Sequence, residues 1–132
     1  MHDEFAKSLY SNIIVSFLIL LHIFILILEM FFWESKISLR AFGLTPELAK
    51  ETVAIGANQG LYNGFLTAGL VWSLILGSRG HSVKVFFLLC ILIAGIFGAV
   101  TVSSRIIFIQ AIPAAISLCL LCRGSKTLTN LE

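Results

Sequence analysis

The sequence predicts an all-α, polytopic membrane protein: a four-transmembrane-helix bundle with short connections. Three observations lead there. Apolar residues make up 58% of the 132 and charged residues only 12%, against about 25% charged in soluble domains. Four apolar stretches each approach the roughly 20 residues that a helix needs to cross ~30 Å of hydrocarbon. The polar residues that interrupt these stretches fall at shared depths. A chain this short is one domain, residues 1–130, and Leu131-Glu132 reads as a cloning remnant outside it.

The first span covers residues 12–33 and ends in Phe31-Phe32-Trp33, an aromatic cluster suited to a membrane interface. His2, Asp3 and Glu4 are not basic, and no small-x-small cleavage site follows the apolar run. The first span is therefore expected to be retained and not removed as a signal peptide. A polar loop with Glu34, Lys36, Arg40 and Gly43 comes next. Thr45-Pro46-Glu47 reads as a helix start, with threonine as N-cap, proline in the first turn and an acid beside the positive end of the dipole. That helix can run on to Gly77, with its spanning part at residues 53–76. Gly77–His81 is a turn, and the third span covers residues 83–102. Ser103-Ser104-Arg105 turns into the fourth, residues 106–122, where Pro113 should bend the helix by leaving the Ile109 carbonyl without its donor.

The formal charge of +2 is spread along the chain, so no basic run marks a nucleic-acid surface. The expected location is the cell (inner) membrane, multi-pass, with the lipid bilayer as first partner. With the N-terminus inside, the inner segments hold Lys7, Arg79, Lys84, Arg123 and Lys126; the outer ones hold Lys36, Arg40, Lys50 and Arg105. That count, five against four, favours the N-terminus inside, whereas the flanks of the first span alone, Lys7 before it and Lys36 and Arg40 after it, favour the opposite. Cys119 and Cys122 have redox spacing but lie at the C-terminal end of a span, where the dipole opposes a thiolate, so they and Cys90 read as packing residues.

Glu29, inside the apolar run of the first span, is the most informative residue. An ionisable group in hydrocarbon costs about 2.5–3.5 kcal/mol on insertion scales, so it marks a site and needs a partner. Alternating spans bring the end of the first, the start of the second, the end of the third and the start of the fourth to one side. Glu29, Asn58, Gln59 and Arg105 thus share a shallow layer, and Asn63 and Gln110 lie ~7–8 Å deeper. His22 is about 10 Å below Glu29 on the same helix face, too far for a direct bond. The opposite charges of Glu29 and Arg105 lead us to expect them within ion-pair distance, directly or through one water. Gly56, Gly60, Gly64 and Ala68 recur every fourth residue, a stripe that admits a close helix neighbour. Leu70, off that stripe, is expected to face lipid. No second His or Cys is placed to chelate with His22, so no metal or cofactor is expected.

The stretches His22–Phe31, Phe42-Gly-Leu-Thr-Pro-Glu47, Ala57–Phe65 and Ser104–Pro113 resemble an uncharacterised family of small four-span bacterial membrane proteins, known only as a domain of unknown function. That resemblance implies a fold and no activity. A fainter similarity is to the membrane-associated eicosanoid and glutathione metabolism family, which are four-span trimers, at Asn58-Gln59-x-x-x-Asn63 and Arg105-Ile-Ile-Phe108. The glutamate that family carries in its second span is Tyr62, Asn63 or Gly64 here, and its basic cluster is reduced to Lys50. Glutathione's carboxylates need cations, so this departure counts against glutathione.

Three functions compete. The first is a homo-oligomer that binds or passes a small polar or amphiphilic solute at the polar layer. The second is a structural or partner-binding membrane subunit. The third is a glutathione-transferase-like membrane enzyme, for which no nucleophile–base pair or phosphate loop speaks.

Overall fold

The computed structural model describes residues 2–128, with side chains from Ala6 to Cys122. Within them the chain is all-helical: α1 His2–Phe31, α2 Lys36–Phe42, α3 Pro46–Glu51, α4 Val53–Ile75, α5 His81–Thr101 and α6 Ile112–Leu128. A 3-10 turn, Gly77–Gly80, joins α4 to α5, and a π turn, Ile107–Ala111, leads into α6.

α1 touches α4 and α6, and α5 touches the same two, so the four long helices close a ring. The stripe that α1 turns inward is Ser11, Val15, Leu18 and His22, stepping by four, three and four residues as a 3.6-residue repeat requires. α5 does the same with Lys84, Leu88, Ile91 and Gly95. Val15, Leu18, Ile19, Leu70, Leu88, Ile91, Ala114 and Leu118 form the core. All belong to the half of the ring nearer the start of α1. Leu70 is completely buried there, which corrects its expected lipid exposure. It lies beside Gly69, where α5 comes so close that a Cβ would collide with the Phe87 ring.

α1 and α4 run antiparallel and nearly touch. A Cβ on Gly60 would lie 2.5 Å from Met30 Cγ and 3.1 Å from the Leu26 carbonyl oxygen, and one on Gly56 would strike the Trp33 ring. Gly64 faces a Leu26 methyl, while Ala68 is exposed. α5 is seated as closely on the last long helix, with a Cβ on Gly95 only 2.9 Å from the Ala111 nitrogen.

The polar loop expected after the first span is in fact mostly helix. The Ser35 hydroxyl caps α2 by accepting from Ser38 N at 3.2 Å, and Gly43, at φ +66°, ends it with its N–H on the Leu39 carbonyl. Trp33 stacks on Phe42 at 5.2 Å between centroids and donates to Thr52 Oγ1 at 3.1 Å, folding α2 back onto the ring of helices. Thr45 caps α3 through Leu48 N, but the helix ends at Thr52 before α4 begins. Cys119 and Cys122 are exposed on α6 and not packed, because Ser117 and Leu118 take the inward phase.

Two segments, Ala6–Phe31 and Gly77–Thr101, are long and apolar enough to cross a membrane; Ile107–Cys122 is apolar but shorter. α4 has the length, but Asn58, Gln59, Tyr62 and Asn63 dilute its first half.

Candidate functional site

The half of the ring opposite the core is hollow. A cleft of about 700 Å³ opens there among α1, α2, α4, α5 and the π turn. Its polar walls are Glu29, Arg40, Gln59, Asn63, Arg105 and Gln110, and its floor is apolar, with Leu21, Phe24, Ile25 and Leu66. Each polar group arrives for a local reason. Glu29 closes the last turns of α1 above Leu28. Gln59 and Asn63 stand one turn apart on α4. Gln110 lies inside the π turn, whose Ile112 N–H reaches back to Ile107 and so re-phases the residues before Pro113.

Five of the seven residues expected in the polar layers therefore line one cavity: Glu29, Gln59, Asn63, Arg105 and Gln110. Asn58 is exposed and is not a wall of it. His22 is fully buried below it. Its Nδ1 donates to the Leu18 carbonyl at 2.8 Å, and its Nε2 is buried with no hydrogen-bond partner. The Thr67 hydroxyl, one turn below Asn63 on α4, is also buried and unpartnered.

Glu29 takes its hydrogen bond from Asn63 Nδ2 at 2.7 Å. It shares the cleft with Arg105 but makes no direct ion pair with it within 4.0 Å. The reason is geometric. Gly60 lets α1 and α4 approach until a short amide spans the gap, so Asn63 takes the carboxylate. Gln110 Nε2 donates to the Ile91 carbonyl at 3.1 Å, which pins the π turn to α5.

Sequence reasoning missed two contributors, Arg40 and Ser103. Arg40 joins the cleft only because α2 folds back, for which Ser35 and Gly43 were the local signals. Tyr62 and Ser103 also line it. A second polar contact, at the other end of the ring, was missed too: buried Lys84 donates to Asn12 Oδ1 at 2.6 Å, near a buried Ser11–Ser117 hydroxyl pair at 2.8 Å. The spacing of Lys84 with Leu88 and Ile91 would have placed it inward. Among the described residues no group of three or more His, Cys, Asp or Glu is arranged to hold a metal ion.

Residues 16–122 match a family described as "Protein of unknown function (DUF1304)". The chain belongs to this family. The match spans every wall of the cleft. The chain is also 32% identical over 102 residues to "Uncharacterized protein YpaA" of Lactococcus lactis subsp. lactis (strain IL1403), covering 75% of this chain and 86% of that protein. No solved structure matches the chain. Family membership agrees with the resemblance read from His22–Phe31 and Ala57–Phe65, and it carries no activity with it.

Proposed function

We propose that this member of the DUF1304 family is a four-span protein of the cell membrane whose cleft binds, or passes, a small polar or amphiphilic solute. The observation that carries this is the cleft itself: polar groups from α1, α2, α4 and the π turn converge on one hollow with an apolar floor. Such a combination is the ordinary form of a small-molecule site. The internal hydrogen bonds that Glu29, Asn63 and Gln110 make leave Gln59 and two guanidiniums for a ligand.

The membrane setting is supported by the outward faces. Ile75 is 77% exposed and Val100 82%, and Phe31, Phe86, Phe97 and Phe108 are also exposed. A chain surrounded by water rarely shows apolar surface on every side. A bilayer, or neighbouring copies within it, would cover these faces. We place the N-terminus inside and expect a homo-oligomer.

Native mass spectrometry of the protein released from a mild detergent tests the proposal, and the same spectrum reports the number of copies. The wild type should carry a co-purified adduct that Ala94→Trp, which fills the cleft from α5, loses. A bare wild-type mass would favour the second reading, a structural subunit. One observation favours that alternative: Asn63 satisfies Glu29 within the chain.

A further inference from the structure

Arg40 and Arg105 come from distant parts of the chain, the end of α2 and the approach to the π turn, and meet on one cavity. Among the described residues neither guanidinium reaches a carboxylate within 4.0 Å. The acid that shares the cleft with them is already held by Asn63. Guanidiniums with free donors that line one cleft are a match for a carboxylate or a phosphate, which a guanidinium can grip with two parallel hydrogen bonds. Beneath them the wall turns apolar. From Glu29 to Leu21 the α1 wall descends eight residues, ~12 Å, room for an extended chain of about eight to ten carbons. Between the cationic mouth and the apolar floor, Glu29 adds a hydrogen-bond acceptor.

We infer, building on the binding reading above, that the cleft takes a single-chain anionic amphiphile. Its acidic head lies on Arg40 and Arg105, its chain on Leu21, Phe24, Ile25 and Leu66, and a hydroxyl or amide near the head donates to Glu29. This order of chemistries discriminates among ligands. A cationic amphiphile would meet two guanidiniums, and a neutral one would leave them without a counter-charge.

The test is native mass spectrometry of the full chain in an uncharged detergent, titrated separately with decanoate, 3-hydroxydecanoate, decan-1-ol and decyltrimethylammonium. Decanoate should bind, and 3-hydroxydecanoate more tightly. Arg40→Gln and Arg105→Gln should each weaken both acids about tenfold or more, since a hydrogen bond to a charged group is worth at least that factor. Both side chains are exposed, so unchanged melting temperatures would show that the variants fold. Equal binding of decan-1-ol or decyltrimethylammonium would overturn the anion preference, as would arginine variants that bind like the wild type. Should all four probes fail while a co-purified adduct is present, the inference falls and the binding proposal stands; failure of the probes with no adduct removes both.

Discussion

Leu70 and His22 are both completely buried, yet opposite outcomes are expected when they are replaced. Leu70→Ala removes packed methyls from the core and should cost ~2–5 kcal/mol in thermal or denaturant unfolding. His22→Leu removes the unpartnered Nε2 but also the Nδ1 bond to Leu18, so the net effect should be a smaller stabilisation, about 0.5–1.5 kcal/mol. A clear loss of stability would mean that Nε2 is satisfied in solution. Glycines separate in the same way. On Gly95 a new methyl would press on the Ala111 backbone nitrogen, which cannot yield, whereas on Gly64 it meets a Leu26 methyl 3.0 Å away that can swing aside. Gly95→Ala should therefore lower the melting point markedly, by ~1–3 kcal/mol of overpacking, and Gly64→Ala should barely move it. Glu29 and Asn63 were legible in the sequence because a polar atom in an apolar run announces itself. Their pairing was not, because residue counting along helices gives depth and no azimuth, and depth alone suggested Arg105.

At the level of elements, the long helices were legible from their apolar lengths, and Thr45-Pro46 marked a helix start that proved to be that of the short α3. α2 was not, because seven residues carry too little periodicity to stand out from a polar loop; only its two caps marked it. The tie between α1 and α5 at Asn12 and Lys84 makes an asymmetric prediction. Asn12→Leu strands a buried ammonium and should destabilise the fold strongly, by ~3 kcal/mol or more, while the double replacement Asn12→Leu with Lys84→Met removes both polar groups and should restore most of that loss. A double-mutant cycle in unfolding free energy measures it. Additive losses would show that the bond contributes nothing to holding the two helices together.

For the whole molecule, the ring of helices has a solid half and a hollow half, and the four crossings proposed above would put the turn at Gly43 and the turn at Gly77 on opposite faces of the bilayer. Single cysteines placed at Gly43 and at Ser78, in a background without Cys90, Cys119 and Cys122, should be labelled by a membrane-impermeant thiol reagent from opposite sides of oriented vesicles. Labelling from one side alone would mean that α4 does not cross. The two halves also obey different registers along the last long helix. A π turn amounts to one residue carried in surplus, like a spare tooth on a gear. Deleting one residue from Ile107–Ala111 should return the helix to regular winding and turn everything ahead of it by about 100° relative to Ala114 and Leu118. Arg105 would swing out of the cleft and the Gln110 bond to Ile91 would be lost while Ala114 and Leu118 kept their mesh, so a single-codon deletion would retune the hollow half far more than the solid one.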